Sequence, residues 1–139
     1  MVQQLSLKVT TRLEELATVL GWFNRHYQPQ LSRQTLIECQ TLLAEGFTNA
    51  VQHAHRDQAP QTPIEIELSL SGNQIELRIW DRGPTFDLEQ RMQNHPEKPA
   101  SEAMRGRGLQ IIASLADSFS YHRFHDRNCL QITKTAVLD

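Results

Sequence analysis

The fold is decided by the segment EGFTNAVQH, residues 45–53, near the end of a helix predicted to run to about His55. The apolar residues of this helix form one stripe, while Glu45, Asn49 and His53 recur at every fourth position and share another face. A solvated helix surface would also explain three such polar residues. Asparagine is unfavourable inside a helix because its amide competes for backbone hydrogen bonds, so Asn49 suggests a function.

The chemistry of this face points to a metal-assisted reaction. An amide oxygen such as that of Asn49 suits Mg²⁺, which needs only one or two protein oxygens and otherwise keeps water and phosphate oxygens. Glu45 lies one turn away and could accept a proton from an attacking hydroxyl, as phosphoryl transfer requires. We therefore expect Asn49 to bind metal and Glu45 to act as a base.

A second candidate is the segment DRGP, residues 81–84, where a predicted strand ends. The carboxylate of Asp81 could accept a hydrogen bond from the exocyclic amine of adenine. Gly83 would let the backbone approach the base closely. An ordinary Asp-x-Gly turn is the alternative interpretation.

A third candidate is the pair Gly106 and Gly108, predicted to open an apolar helix that includes Leu109. Free N–H groups at such a helix start favour phosphate. Arg105 and Arg107 add positive charge beside it. A plain glycine turn would explain the same pattern.

Composition limits the other possibilities. The chain has 139 residues, which predicts one domain, and a net charge of -2, which argues against direct binding of nucleic acid or an anionic membrane. No segment approaches about 18 unbroken apolar residues, so we expect a soluble, cytoplasmic protein. Cys39 and Cys129 match no metal-ligand spacing and are expected to be buried free thiols.

Hydrophobic periodicity predicts the order β-α-α-β-β-lid-α-β-β, an α/β two-layer sandwich with a mainly antiparallel mixed sheet and helices on one face. Thr11 and Glu14 form a possible capping box for the first helix, and Ser32 is a candidate cap for the second. The segment from Pro84 to Arg105 loses all periodicity. Its length predicts a functional lid or a disordered loop.

Other functional motifs are weak or missing. A zinc set of His122, His125 and Cys129 lacks a fourth ligand at suitable spacing. His53 and His55 are two residues apart and are expected to point to different helix faces. No nucleophile elbow or Walker-type lysine loop occurs in the sequence, which argues against hydrolase and P-loop functions.

Taken in order, the three segments resemble the N, G1 and G2 boxes of the GHKL (Bergerat-fold) ATPases. Within that superfamily the chain is similar to the small bacterial anti-sigma regulatory factors of the serine-protein-kinase type. The resemblance covers nearly the whole chain and implies a histidine-kinase-like ATPase domain over residues 1–139. It departs from the family pattern at Thr85 and Arg105, where glycine is common.

The resemblance implies roles for individual residues. Glu45 would be the catalytic base, Asn49 would bind Mg²⁺, Asp81 would read adenine, and Gly106 with Gly108 would bind the phosphates of ATP. The remaining residues of the boxes that we expect at the cofactor are His53, Gly83, Arg105, Arg107 and Leu109.

The resemblance also implies partners. Such proteins bind a sigma factor and phosphorylate a serine or threonine of an anti-anti-sigma (STAS-domain) antagonist, and this chain could form a homodimer. A non-catalytic, ATP-dependent binding module is the alternative. The catalytic domain of a two-component histidine kinase is disfavoured, because no phospho-acceptor helix precedes residue 1 in this sequence.

Overall fold

The protein is built on one five-stranded sheet. The structure is a computed structural model. It describes residues 2–84 and 100–138, with side chains for residues 3–84 and 108–138. The strand order is β1-β2-β3-β5-β4, and each of the four pairings is antiparallel, so the described strands contain no parallel pair of a mixed sheet. The strands are β1 Val2–Thr10, β2 Pro63–Ser71, β3 Gln74–Asp81, β4 Ser118–Phe124 and β5 Arg127–Thr135.

The helices pack against one face of this sheet, which confirms the predicted two-layer sandwich. Buried apolar residues of the helices and of alternate strand positions form a single core cluster. None of the helices in the described ranges is long and apolar enough to cross a bilayer. The helical elements are a 3₁₀ turn Leu13–Glu15, α1 Leu16–Tyr27, α2 Arg33–Asn49, a π turn Ala50–Ala54 and α3 Ala100–Leu115.

The central hairpin confirms the predicted alternation. In β2 and β3 every second residue is buried, as a strand with one face on a core requires. The strands are joined by the two-residue loop Gly72-Asn73, where Gly72 has φ 60°. A positive φ at the first loop position is what a II′ hairpin turn needs, and glycine adopts it without strain.

The capping box predicted at Thr11 and Glu14 is wrong. The cap residue is Arg12, and no side chain caps this helix start. The Thr11 hydroxyl instead donates to the carbonyl of Thr62 at 2.6 Å. Glu15, rather than Glu14, turns back along the chain and accepts a hydrogen bond from the backbone N–H of Thr10 at 3.2 Å.

The second helix starts as predicted and ends differently. Ser32 caps α2, since its Oγ accepts from the N–H of Thr35 at 3.2 Å. After Asn49 the chain continues as a π turn, closed by the bond from the N–H of His55 to the carbonyl of Ala50. Glu45 and Asn49 lie one turn apart within α2, as predicted, while His53 follows in the π turn, and its place on the same face stays a prediction.

Helix α3 begins earlier than the sequence pattern predicted. It starts at Ala100, so Gly106 and Gly108 lie inside the helix and not at its free N-terminus. The segment ASEAMR, residues 100–105, contains several good helix formers, which explains the earlier start. Most of the predicted lid, residues 85–99, lies outside the described residues.

Candidate nucleotide site

The candidate site is built around the second half of α2, which lies very close to the sheet. A β-carbon at Gly46 would stand 2.4 Å from Cδ1 of Ile79 on β3 and 3.4 Å from Cδ2 of Leu130 on β5. A larger residue at this position would have to displace the Ile79 side chain or the helix itself. Gly46 therefore sets the height of its neighbours Glu45 and Asn49 above the sheet.

Glu45 of the first box meets Gly108 of the third. A β-carbon on Gly108 would lie 3.0 Å from Oε2 of Glu45, so the carboxylate rests against the bare backbone of α3. Glu45 itself is partly buried. Two segments that are far apart in sequence therefore form one surface, and a carboxylate lies at their contact.

Asn49 lies one helical turn beyond Glu45 and is 7% exposed. Within the described part of the chain, no hydrogen bond engages its side-chain amide. The amide atoms of Asn49 are not among the fully buried polar atoms that lack a partner, so this amide reaches the protein surface and is available to a ligand, an ion or water. The observation fits the role of an oxygen ligand predicted for Asn49.

The donor set also fits Mg²⁺. Residues 2–84 and 108–138 contain no cluster of three His, Cys, Asp or Glu side chains that could enclose a metal ion. Mg²⁺ does not need such a cluster, because it is bound through one or two protein oxygens together with phosphate oxygens and water. The amide of Asn49 and the carboxylate of Glu45, one turn away, can supply these one or two protein oxygens.

The second box joins the same helix at its far end. Gly83 packs directly on the π turn that follows α2, so that a β-carbon at Gly83 would stand 2.4 Å from the carbonyl oxygen of Ala54. A side chain would collide with rigid backbone here. The close approach predicted for Gly83 is thus to the protein itself.

Asp81 precedes this contact and is 2% exposed. Its Oδ1 accepts from the N–H of Gly83 and from Nδ2 of Asn128, both at 2.8 Å. Its Oδ2 accepts from the hydroxyl of Tyr121 at 2.5 Å. A carboxylate offers about four acceptor positions, so these three bonds hold Asp81 in place and leave one position on Oδ2 without a donor among the described residues.

Tyr121 is the donor in its bond to Asp81. Burial and the negative charge of Asp81 raise the pKa of the Tyr121 hydroxyl far above its ordinary value, so it keeps its proton. Sequence reasoning missed Tyr121 and Asn128. Both could have been noticed as polar residues at inward-facing positions of β4 and β5, where apolar residues are the rule.

The remaining backbone of the segment Asp81–Pro84, called the acidic turn below, is also held by side chains. The N–H of Arg82 donates to Nε2 of His55 at 2.7 Å, and the carbonyl of Arg82 accepts from Nε2 of Gln58 at 2.6 Å. The carbonyl of Gly83 accepts from Nη1 of Arg123 at 2.8 Å. The acidic turn is therefore fixed before any ligand arrives.

The other predicted site residues are less directly placed. His53 is half-buried in the π turn. Leu109 is 1% exposed and belongs to the core, so its side chain serves packing. Arg105, Gly106 and Arg107 are placed in α3 by their backbone, and their side chains lie outside the described part of the chain.

The two cysteines take no part in the site. Both are buried free thiols, as predicted. Burial raises the pKa of Cys39 and of Cys129 to about 12, so neither is a thiolate at neutral pH.

The arrangement combines the fixed carboxylate of Asp81 with the amide of Asn49, which has no hydrogen bond within the described residues, and the carboxylate of Glu45 against Gly108. Carboxylate and amide oxygens of this kind are compatible with a nucleotide and Mg²⁺. A profile of the family described as "Histidine kinase-like ATPase domain" matches residues 9–134. The chain belongs to this family.

Relatives agree with that assignment and confirm the resemblance drawn from the three boxes. The chain is 35% identical over 91 residues to a protein of Oceanobacillus iheyensis named "Serine-protein kinase RsbW", a match that covers 62% of this chain and 57% of the relative. A protein of the same name from Listeria innocua is 31% identical over 91 residues, again covering 62% and 57%. The matched region thus spans little more than half the length of these relatives.

Solved structures show the same fold. The RsbU and RsbW domains of Rv1364c from Mycobacterium tuberculosis superpose with a TM-score of 0.70 at 13% identity, covering 96% of this chain and 32% of that one. The histidine kinase AdeS of Acinetobacter baumannii gives a TM-score of 0.51 at 15% identity, covering 93% and 67%. At these identities the likeness concerns the fold alone.

Proposed function

We propose that this chain is one ATP-binding domain that acts as an anti-sigma factor and protein serine/threonine kinase. It would bind a sigma factor and phosphorylate a STAS-domain antagonist in the cytoplasm. The observation that carries the proposal is the contact of Glu45 with Gly108, one turn from the amide of Asn49, which no hydrogen bond within the described residues engages. Family membership and the serine-protein kinase names of the relatives support it.

Each residue has a distinct task in this proposal. ATP with Mg²⁺ supplies the phosphoryl group, and the metal neutralises charge on the phosphate oxygens. Asn49 offers its amide oxygen to the metal, and Asp81 accepts the adenine amine at the free position of Oδ2. Glu45 accepts the proton of the attacking hydroxyl, or orients that hydroxyl, at its Oε2.

The contact between Glu45 and Gly108 suggests where the transferred group lies. Because Gly108 has no side chain, the Glu45 carboxylate meets only the backbone of α3 there, and we place the nucleotide phosphates and the partner's hydroxyl beside this contact. The phosphate site cannot rest on the free N-terminus of α3, since that helix begins at Ala100. Close approach to the glycine backbone takes its place in the proposal.

Single-turnover phosphotransfer to a purified STAS protein tests this function. With Glu45→Gln we expect ATP·Mg²⁺ affinity close to that of the wild type and transfer slower by about 10²- to 10⁴-fold. Glu38→Gln is the matched control, because Glu38 lies on the same helix two turns before Glu45 and pairs with Lys134. Transfer at the wild-type rate in Glu45→Gln would remove the base assignment.

The alternative function, a non-catalytic binding module, makes a different prediction. Wild-type protein would then bind ATP and retain a sigma factor without modifying any STAS partner. Affinity capture with and without ATP·Mg²⁺, followed by mass spectrometry for a phosphorylated serine or threonine on the captured antagonist, separates the two.

A further inference from the structure

His55 holds a central place between three elements. It follows the π turn, and its side chain is 2% exposed. Nδ1 lies 2.8 Å from Oγ1 of Thr11, just after β1, and Nε2 lies 2.7 Å from the backbone nitrogen of Arg82, just after β3. The ring therefore links the end of β1 to the acidic turn.

The hydrogen-bond partners determine where the ring proton lies. The backbone N–H of Arg82 can only donate, so Nε2 of His55 must accept and carries no proton. The single hydroxyl proton of Thr11 is given to the carbonyl of Thr62 at 2.6 Å, so Oγ1 accepts from Nδ1–H. Both constraints select the same species, a neutral imidazole protonated at Nδ1.

The charges around the ring agree with a neutral state. Burial lowers the pKa of His55, the carboxylate of Asp81 raises it, and the guanidinium of Arg82 lowers it. Thr11 and Thr62 contribute only uncharged groups, a hydroxyl and a carbonyl. A second proton would occupy Nε2 and leave the N–H of Arg82 without an acceptor.

We propose that His55 is a positioning residue of the nucleotide site: as the neutral Nδ1–H tautomer it holds the N–H of Arg82 and thereby orients Asp81. Asp81 directly precedes Arg82, and Gln58 holds the carbonyl of Arg82 from the other side. The link to nucleotide binding rests on the proposed function. The link between His55 and the acidic turn does not.

Two variants separate the contacts of His55. The amide of glutamine reaches about as far as Nε2, so His55→Gln can still accept from Arg82. The amide of asparagine reaches only as far as Nδ1, so His55→Asn can contact Thr11 and cannot reach Arg82. The two side chains have the same chemistry and differ by one methylene group, which makes them a matched pair.

The first measurement uses nucleotide-free protein. Amide hydrogen exchange at Arg82 should be similar in wild type and His55→Gln and about tenfold faster in His55→Asn, because a backbone hydrogen bond is lost. The amide of Leu77 in β3 reports whether each variant keeps its sheet. Equal exchange at Arg82 in all three folded proteins would overturn the proposal.

The second measurement is the ¹⁵N spectrum of the His55 ring at neutral pH. We expect a protonated Nδ1 and an unprotonated Nε2. A ring protonated at Nε2 would contradict the assignment, because that tautomer cannot accept from Arg82.

The third measurement is ATP affinity as a function of pH. Wild-type affinity should fall as the pH drops from about 7 to 5, the profile of His55→Gln should be flatter, and affinity in His55→Asn should be about tenfold weaker at neutral pH. Identical profiles in wild type and His55→Gln would refute the role in nucleotide binding. If wild-type protein binds no ATP, the proposed function fails, and the exchange and ¹⁵N data still decide whether His55 holds the acidic turn.

Discussion

The Glu45 carboxylate and the Gly108 backbone are in direct contact, with a β-carbon position on Gly108 only 3.0 Å from Oε2. Gly108→Ala should therefore have opposite effects on stability and catalysis. Alanine favours the helix interior by about 1 kcal/mol, so the free energy of unfolding should not fall. The displaced carboxylate should slow phosphotransfer by roughly tenfold or more.

Urea denaturation and single-turnover phosphotransfer check this pair of effects. The double variant provides the control. In the Glu45→Gln background the carboxylate is already absent, so Gly108→Ala should slow phosphotransfer little further. Independent, additive losses would show that Gly108 does not act through Glu45.

Asn49→Ala should weaken ATP binding without weakening the fold. No described protein group depends on this amide, and alanine is the better helix former by a few tenths of a kcal/mol. The melting temperature should hold or rise, while the Mg²⁺-dependent part of ATP affinity is lost, as titration calorimetry with and without Mg²⁺ would show. Gln52→Ala, at an exposed position of the π turn, is the control. A large drop in melting temperature would mean that Asn49 is structural.

Asp81→Asn should weaken ATP binding by roughly 10- to 150-fold, the equivalent of about 1.5–3 kcal/mol for a charge-assisted hydrogen bond. Tyr121→Phe is the matched variant, because it removes one donor to the carboxylate and leaves the carboxylate present. Its effect on ATP affinity should be clearly smaller. Calorimetry that shows unchanged affinity in Asp81→Asn would exclude the adenine role.

Gly83→Ala should destabilise the protein, since the new β-carbon would stand 2.4 Å from the carbonyl oxygen of Ala54 and one backbone segment must move. Overpacking of this kind costs about 1–3 kcal/mol. Gly21→Ala is the control in α1, where the nearest atom is 3.9 Å away and alanine should stabilise by up to about 1 kcal/mol. Urea denaturation of both variants measures the difference, and equal stability would contradict the close contact.

Acid should destabilise the protein partly through His55. Burial lowers the pKa of His55 in the folded protein below its ordinary value of 6.5, so the unfolded chain takes up the proton first. The contribution of His55 is complete above pH 6.5 and is lost as the pH falls through the folded-state pKa, by up to about 1.4 kcal/mol per pH unit. Urea denaturation of wild type and His55→Gln at several pH values isolates the contribution of His55. Free energies of unfolding that fall in parallel from pH 7 to 5 would contradict this contribution.

Local patterns in the sequence predicted most of the fold. The alternation of Ile64 to Leu70 marked β2, the spacing of apolar residues marked α2, and Ser32 capped that helix as expected. These features depend on neighbours within a few residues, which periodicity and capping rules describe. They were enough to place Glu45 and Asn49 on one face.

The errors arose where distant residues decide. Thr11 has the pattern of a cap, but its partners lie 44 and 51 residues further along the chain. The hydrogen bonds from Tyr121 and Asn128 to Asp81 likewise form only after β3, β4 and β5 have paired. The helix start at Ala100 was missed because neighbouring prolines and mixed charges concealed good helix formers.

The π turn Ala50–Ala54 has a consequence for insertions and deletions. The N–H of His55 bonds to the carbonyl of Ala50, so deleting one residue between them would turn this bond into an α-helical one with the same carbonyl and leave His55 in place. The number of residues between Asn49 and His55 is therefore less constrained than the histidine itself. Shortening this segment by one residue should leave the Arg82 amide protected, in contrast to His55→Asn.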